Sequence, residues 1–337
     1  MSREHLYIAS CVPDGGIEHY VRTADGYELC DRLACDQPMY MLLEENRMDV
    51  LLRAPFSSNC HSGLLQLKVD RDGALHPIGK IEDTQGEIAC HLCHWQGKTY
   101  VANYLSGSTA MIGGPVHHSS GCGFSFPRQD MSHPHFIGIS PDKKYLLATD
   151  LGLDTINVYD AQLRVLASVR TPSGHGARHL AFSADGSCIF CINELVSTIS
   201  VFAYHNGKMT LLETCPALKS GVPGGAAVRV QGELVYTSHR GADLIALHRW
   251  TGKHLVPVDE FSCGGKSPRD FILTERELLC ANEESGQVAV LQLKAGRPCD
   301  TGKRISVKRP LCLVWRGTNS SMNLNEIYAD KSEKKER

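Results

Sequence analysis

The sequence predicts an all-β chain folded as a single seven-bladed β-propeller. Seven copies of one pattern recur along the 337 residues, and each reads as an apolar strand, a polar turn, a second apolar strand and a small-residue turn before a third strand. The clearest copies begin at Pro134, Ala177 and Pro268. The apolar runs have the length of strands rather than of helices. A period of about 40–50 residues built from short strands is typical of propellers.

The residue that opens the first strand of each copy aligns the seven blades. These anchors follow one another at intervals of 41 to 52 residues, and they are Met39, His91, His135, Arg178, Ala226, Arg269 and Pro310. Because little chain follows Pro310, we expect the N-terminal segments LYIASC and GIEHYV to complete the last blade and to remove open sheet edges. The propeller domain then spans residues 1–317, and the polar, charged residues 318–337 form a tail.

The composition argues against several classes of function. The net charge is −2 and no polybasic run occurs in the repeats, so nucleic acid and anionic membrane surfaces are not expected as partners. No apolar stretch approaches the roughly 18 residues that span a bilayer, and the N-terminus lacks the features of a signal peptide. The 14 cysteines are therefore expected to be reduced, and the protein to be cytoplasmic. The oligomeric state stays open between monomer and homodimer.

Two rings of side chains are predicted around one mouth of the central channel. In an antiparallel hairpin the start of the first strand lies beside the end of the second, so both face the same side of the disc. The first ring, from the strand starts, comprises Met39, His91, His135, Arg178, Ala226 and Arg269. The second ring, from the strand ends, comprises Tyr104, Asp150, Glu194, Arg240 and Glu283.

The charged members of these rings indicate a site for an anionic ligand. Arginine offers a planar fork that suits phosphate or carboxylate, and histidine or glutamate can act as a general base near neutral pH. The alternative is that such residues only hold neighbouring blades together. The sequence favours that structural role for Asp150 and Glu283, and Tyr104 can be a simple lip residue. Residues that only hold blades together need not converge on one face of the disc, however, whereas this set is predicted to do so.

No metal or cofactor site is predicted. The segment 90–94 fits the C-x-x-C-H pattern of covalent haem attachment. That chemistry occurs outside the cytoplasm, and strand alternation is expected to send Cys90 and Cys93 to opposite faces of blade 2. The pair at 117–118, two histidines in a Gly/Ser-rich loop, is interpreted as part of a surface loop rather than as a metal-binding rim.

Blades 3, 4 and 6 carry specific motifs, namely HPHFIGISPD, LATDLGLDTINVY, GARHLAFSADG, CINELVSTISVF, SPRDF and CANEESGQVAV. They resemble the seven-bladed lactonase family, which includes propeller-type 6-phosphogluconolactonases and fungal carboxymuconate lactonizing enzymes. The resemblance covers residues 5–316. In that family the proposed active-site residues are a histidine, two arginines and a glutamate, which match His135, Arg178, Arg269 and Glu194. Arg240 matches a frequent family arginine. His133 competes for the histidine role, but the register of the ISPD turn favours His135.

The mouth chemistry and the resemblance together predict hydrolysis of a sugar lactone. The best candidate is 6-phospho-D-glucono-1,5-lactone, a small anionic lactone of the pentose phosphate route. His135 or Glu194 is expected to activate water, and the sequence does not decide between them. Arg178 and Arg269 are expected to stabilise the oxyanion. The expected substrate-binding residues are His91, Tyr104, Asp150, Arg240 and Glu283. These groups suffice for lactone opening without a metal or an organic cofactor.

Two other functions stay open at this point. A carboxymuconate cycloisomerase would use the same arginines to hold carboxylates and an acid–base pair to move a proton. A non-catalytic propeller would serve as a binding scaffold, with a partner on rim loops such as residues 112–130, because a fold alone does not prove an activity.

Overall fold

The computed structural model describes residues 3–317, and every regular element in that part of the chain is a β-strand. It contains seven four-stranded sheets, and the first strands of successive sheets contact one another around a closed ring. The predicted seven-bladed propeller is therefore confirmed. None of the described residues belongs to a helix that could cross a membrane. The predicted tail of residues 318–337 lies outside the described residues.

Each blade consists of four strands, and each strand is antiparallel to its neighbours. From the innermost strand outward they are, in blade 1, Pro38–Glu44, Arg47–Leu52, Gly63–Val69 and Leu75–Asp83; in blade 2, Ala89–Trp95, Lys98–Asn103, Ser108–Met111 and Val116–His118; in blade 3, Pro134–Ile139, Leu146–Asp150, Thr155–Tyr159 and Val165–Arg170; in blade 4, Ala177–Phe182, Cys188–Asn193, Thr198–His205 and Lys208–Pro216; in blade 5, Gly225–Gln231, Leu234–His239, Leu244–Trp250 and Leu255–Ser262; in blade 6, Pro268–Leu273, Glu277–Asn282, Gln287–Lys294 and Arg297–Ser306; and in blade 7, Pro310–Arg316, His5–Ser10, Gly16–Arg22 and Tyr27–Ala34.

Both ends of the described chain build blade 7. Its innermost strand, Pro310–Arg316, comes from the C-terminal side, and the next two strands are the N-terminal segments expected from the sequence. The strand His5–Ser10 pairs with a neighbour on each side, which closes the ring. A further strand, Tyr27–Ala34, completes the blade at its periphery, where most of its residues are exposed and no apolar run signals a strand.

The apolar core lies between neighbouring blades. In blade 4, Ile189 and Cys191 belong to the cluster shared with blade 3, whereas Phe190 and Ile192 belong to the cluster shared with blade 5. All four side chains are fully buried. Successive residues of a strand point to opposite faces, and both faces of each blade are covered by a neighbour. This double burial explains the short, continuous apolar runs in the sequence.

Every innermost strand opens with a β-bulge against the second strand of its blade. In blade 3, Pro134 pairs with Asp150 and Phe136 with Thr149, so His135 is the extra residue. The equivalent residues in the other blades are Met39, Cys90, Arg178, Ala226 (with Ala227 beside it), Arg269 and Leu311. A bulge re-aims a side chain and often lies next to an active site. In this fold the bulged residues gather at one mouth of the channel, where Met39 packs on Leu311.

Candidate active site

Two rings of side chains surround this mouth. The first ring is the set of bulged residues, and the second ring is the set of residues that follow the second strands. The second ring comprises Cys11, Arg53, Tyr104, Leu151, Glu194, Arg240 and Glu283. The backbone N–H of each donates to a carbonyl two residues before the bulge of its own blade, as Glu194 does to Gly176 at 2.8 Å. This repeated bond fixes equivalent positions in all blades, as the hairpin geometry predicts.

The predicted place of His91 in the first ring is wrong by one residue. The bulge of blade 2 falls on Cys90, so His91 lies one layer deeper in the channel. Its ring packs between Tyr40 and Phe136, with centroids 4.4 Å from each, and its Nδ1 lies 2.9 Å from the carbonyl oxygen of Ile137. His91 is buried and does not line the cleft, so its position does not favour the expected contact with substrate.

Buried histidines make the fold sensitive to acid. Burial, with Arg229 adding to it, lowers the pKa of His91 to about 3, and burial likewise lowers the pKa of His239 to about 3. Both values lie below the unfolded value of roughly 6.5, so unfolding takes up protons once the pH falls below 6.5. Each such histidine is expected to reduce the free energy of unfolding by about 1.4 kcal/mol per pH unit within that window.

Urea unfolding curves at pH values from 7.5 to 4.5 check this prediction, with wild type compared with His91→Asn. The variant lacks one of the titrating groups, so its stability is expected to depend less steeply on pH below 6.5. Parallel curves for the two proteins would contradict the prediction.

Asp150 is also one residue away from its predicted place, because Leu151 occupies the second-ring position of blade 3. The carboxylate of Asp150 is buried and accepts hydrogen bonds from the Ser132 hydroxyl and from the backbone N–H groups of His133 and Leu153. Burial raises its pKa, although these bonds oppose the shift. Asp150 therefore shapes the loops of blade 3 and is not among the residues that line the cleft.

The mouth has a charged side and an apolar side. On the apolar side Cys11, Met39 and Leu311 pack together between blades 7 and 1. Over blades 4 to 6 a cleft of about 700 Å³ opens on the charged side. Its ionisable lining residues are Arg128, Glu194, Arg240, Arg269, Glu283 and Glu284.

Glu194 is the electrostatic centre of the charged side. Its Oε2 accepts a hydrogen bond from Nε of Arg178 at 2.9 Å and lies 2.9 Å from Nη2 of Arg240, while its Oε1 forms an ion pair with Nη2 of Arg128. The residue is 3 % exposed. Burial alone would raise its pKa, but the nearby positive charges, those of Arg240 and Arg178 foremost, hold it well below the usual range. Glu194 is therefore an ionised carboxylate of low basicity.

The hydrogen bonds of Arg178 are made to other groups of the protein. It is 2 % exposed, and it donates from Nε to Glu194 and from Nη1 to the carbonyl oxygen of Ala226. Burial, with the charge of Arg269 adding to it, lowers its pKa to about 9, so it is still protonated at neutral pH. Because it does not line the cleft, its geometry is that of a positioning residue beneath Glu194.

Arg269 differs from the other arginines that line the cleft because it makes no ion pair among the described residues. Within residues 3–317 it makes no ion pair, whereas Arg240 pairs with Glu194 and Arg309 pairs with Glu283. It is partly buried and lines the cleft. Burial and the charge of Arg240 lower its pKa, although the carboxylates of Glu283 and Glu194 oppose the shift. A partly desolvated guanidinium without an ion-pair partner in a cleft is a strong binding group for an anion or an oxyanion.

His135 is the bulged residue of blade 3 and is 5 % exposed. Its Nδ1 is buried and has no hydrogen-bond partner among the described residues. Burial, with Arg178 adding to it, holds its pKa well below the usual value, so the imidazole is neutral at physiological pH. By contrast, both ring nitrogens of His133 lie 3.0 Å from protein oxygens, on Tyr104 and Asp130. His135 does not line the cleft either, but unlike His133 it keeps a ring nitrogen without a hydrogen-bond partner among the described residues.

The remaining predicted residues lie at the mouth with mixed roles. Arg240 and Glu283 line the cleft, and each also holds a partner, since Glu283 pairs with Arg309 at 2.7 Å. The ring of Tyr104 stacks on His133 at 4.5 Å between centroids, and it meets His135 edge-on at 5.5 Å. Tyr104 thus forms the wall behind His135.

The sequence analysis missed Arg128. It lies in the loop between blades 2 and 3, lines the cleft and binds Glu194. Its Nη2 also donates to the hydroxyl of Tyr104 at 3.3 Å. The loop is not part of the blade repeat, so the alignment of blades carries no signal for it. The only hint is a basic residue shortly before the histidines of blade 3.

Cys90 and Cys93 do not point to opposite faces of blade 2, contrary to the prediction from strand alternation. The bulge at Cys90 adds one residue, so Cys90 and Cys93 pack into the same cluster between blades 2 and 3. Sγ of Cys90 lies 3.5 Å from the carbonyl oxygen of His135 and 3.6 Å from that of Pro134. Among the described residues, no three or more of the types His, Cys, Asp and Glu are grouped so that they could hold a metal ion.

Comparison with known proteins identifies the family. The family model described as lactonase, 7-bladed beta-propeller, matches residues 5–315. The chain belongs to this lactonase family. An uncharacterized Staphylococcus aureus protein is 32 % identical over 266 residues, which cover 72 % of this chain and 77 % of that protein.

Solved structures of other proteins share the fold. A periplasmic gluconolactonase of Pseudomonas aeruginosa has a TM-score of 0.85 at 24 % identity, covering 94 % of this lactonase-family chain and 100 % of the other. A Bacteroides fragilis protein assigned only provisionally as a 6-phosphogluconolactonase has a TM-score of 0.86 at 24 % identity, with 94 % and 98 % covered. At this identity the similarity shows the fold, and the activity must be argued from the site.

Proposed function

We propose that this lactonase-family protein hydrolyses a small anionic sugar lactone, with 6-phospho-D-glucono-1,5-lactone as the best candidate. The product is the open acid, 6-phosphogluconate, an intermediate of the pentose phosphate route. The observation that carries the proposal is the Arg269 guanidinium, which lines the cleft without an ion-pair partner among the described residues and lies within electrostatic reach of the neutral His135. Family membership supports the reaction class, and the guanidinium of Arg269, which makes no ion pair among the described residues, supports an anionic substrate.

The geometry favours His135 over Glu194 as the general base. Glu194 is held by three arginines, and a carboxylate with so low a pKa has little affinity for a proton. The pKa of His135 is also held below its usual value, but its Nδ1 has no hydrogen-bond partner among the described residues, whereas arginines occupy both carboxylate oxygens of Glu194. Glu194 instead supplies the negative charge that reduces the repulsion among Arg128, Arg178 and Arg240.

The reaction then follows in two steps. Water attacks the lactone carbonyl carbon while His135 accepts its proton, and Arg269 stabilises the oxyanion, with Arg240 beside it. The tetrahedral intermediate collapses, the bond between the carbonyl carbon and the ring oxygen breaks, and the proton passes from His135 to that oxygen. The products are a hydroxyl group and a carboxylic acid, which ionises in solvent.

Product analysis tests the proposal against its alternatives. Freshly generated 6-phosphogluconolactone and a carboxymuconate are each incubated with the protein and followed by NMR. Accelerated appearance of 6-phosphogluconate alone supports the hydrolase. Conversion of the carboxymuconate into a lactone would instead identify a cycloisomerase. No acceleration with either compound would overturn the proposal and leave a binding scaffold.

The pH dependence of turnover tests the role of His135. Because its pKa is held well below 6.5, kcat/KM is expected to stay flat from pH 8 down to 6.5, with the acid limb below that value. A bound anion stabilises the imidazolium form, so the acid limb of kcat is expected at a higher pH than that of kcat/KM. An acid limb of kcat/KM at or above pH 6.5 would contradict this assignment. His135→Gln should abolish most of the turnover while the variant stays folded.

A further inference from the structure

Gln129 fixes the conformation of the loop between blades 2 and 3 at the rim of the cleft. Gln129 is 1 % exposed, and its Oε1 accepts hydrogen bonds from the backbone N–H groups of Phe124 and Ser125. Its Nε2 donates to the carbonyl oxygen of Leu151 at 2.8 Å, which ties the loop to the second ring of blade 3. Arg128, the preceding residue, is therefore carried on a fixed backbone.

The Arg128 guanidinium crosses the mouth above one blade. Its Nη2 joins Tyr104 of blade 2 to Glu194 of blade 4, and the blade between them carries His135. The Arg128 side chain is 49 % exposed, and its Nε and Nη1 make no hydrogen bond within residues 3–317. It thus presents unused donors to the cleft while it spans the blade of the proposed base.

Arg128 is the arginine that Glu194 can most easily lose. The side chains of Arg178 and Arg240 are 2 % and 20 % exposed and bind Glu194 through Oε2, so two charges still neutralise this carboxylate when Arg128 moves away. The Arg128 side chain is half-exposed, so solvent weakens its interaction with the buried Glu194 carboxylate. Exchanging Arg128 for a ligand anion therefore has a smaller energetic penalty than losing Arg178 or Arg240 would have.

We propose that Arg128 is a specificity-determining residue that leaves Glu194 to bind the anionic group of the substrate remote from the lactone carbonyl. This inference rests on the proposed function, in which that group is the 6-phosphate. The planar fork of arginine suits bidentate binding of a phosphate. The same movement removes the bridge across blade 3, so recognition of the phosphate is coupled to access to His135.

Kinetics with two lactones test this inference. Glucono-1,5-lactone lacks the phosphate and is otherwise the same substrate. In Arg128→Met the ratio of kcat/KM for the phosphorylated lactone to that for the unphosphorylated lactone is expected to fall about 30- to 100-fold, mainly through KM, as for a lost hydrogen bond to a charged group. Arg128→Lys should lose part of this preference because it keeps the charge without the fork. Equal losses with both lactones would overturn the inference.

The matched control is Arg249→Met. Arg249 is similarly exposed and also pairs with a glutamate, Glu233, but the pair lies outside the cleft. This variant is expected to keep the wild-type ratio. Thermal unfolding of both variants shows whether they are folded.

Calorimetry separates this inference from the proposed function. Wild type is expected to bind 6-phosphogluconate more tightly than gluconate, and Arg128→Met should lose that difference. If no lactone is hydrolysed but this binding pattern holds, the anion site stands and the proposed reaction fails. If lactones are hydrolysed but the phosphate confers no preference that depends on Arg128, the inference fails and the reaction stands. If 6-phosphogluconate does not bind at all, the inference is overturned.

Discussion

Replacing Glu194 with glutamine is expected to reduce the free energy of unfolding by about 3–5 kcal/mol and to abolish turnover. The substitution keeps the shape of the side chain but removes the charge that faces Arg178, Arg240 and Arg128. Removing one partner of a buried ion pair leaves the other charge uncompensated, and this typically reduces stability by that amount. Urea unfolding at pH 7.5 measures the loss.

Glu284→Gln is the matched control, because Glu284 lines the same cleft but is exposed and forms no ion pair within residues 3–317. It should retain wild-type stability. The double variant Glu194→Gln/Arg178→Met should recover part of the lost free energy of unfolding, since it also removes the Arg178 charge that Glu194→Gln leaves uncompensated. A Glu194→Gln protein as stable as wild type would contradict the account. The stabilisation by Glu194 is present above its unfolded pKa and is lost as the pH falls through its much lower folded value.

Replacing Arg269 with methionine is expected to lower kcat about 10²- to 10³-fold and to leave the free energy of unfolding nearly unchanged. The activity falls because the oxyanion loses its main donor. The stability is expected to stay because Arg269 makes no ion pair within the described chain, and because the repulsion from Arg240 that is relieved offsets the attraction to Glu283 and Glu194 that is lost. Stopped-flow kinetics and urea unfolding on the same preparation give both numbers.

Arg309→Met is a useful comparison for Arg269→Met, since Arg309 lies nearby but is paired with Glu283 and does not line the cleft. Its kcat should stay close to that of wild type. A loss of stability in Arg269→Met comparable with that in Glu194→Gln would show that Arg269 stabilises the packing of neighbouring blades rather than binding the substrate.

The repeat predicts the fold because each blade obeys the same rules of burial and turn formation. The positions of the blades are predicted by the length of the apolar runs, by their burial on both faces and by the spacing of the copies. The geometry of the hairpins then predicts two rings of side chains at one mouth of the channel. The outermost strand of blade 7 has too few buried residues to give an apolar pattern. It forms because Gly16–Arg22 offers an edge for it to pair with.

His91 and Asp150 were misplaced because each was aligned one residue out of register with its equivalents in the other blades. A bulge adds one residue to the first strand and leaves no mark in apolar periodicity. A local signal does exist, because a proline or small residue precedes every bulged position, as Ala89 precedes Cys90 and Pro310 precedes Leu311. Asn, Asp or His ends the second strand in blades 2 to 6, so Asp150 matches the asparagines of other blades and Leu151 matches Glu194.

Two features of the site depend on contacts that no repeat encodes. Arg128 comes from a loop between blades, and its distance from Glu194 follows from how Gln129 folds that loop. The choice between His135 and Glu194 as base depends on how many arginines reach each of them. Three arginines bind Glu194, whereas Nδ1 of His135 has no partner among the described residues.

The most direct test of the central claim is the rate at which wild-type protein opens freshly generated 6-phosphogluconolactone, measured by stopped-flow proton release against the spontaneous reaction. The account predicts a rate well above the spontaneous one that is proportional to enzyme concentration and is lost in folded His135→Gln. A wild-type rate equal to the spontaneous rate would contradict it.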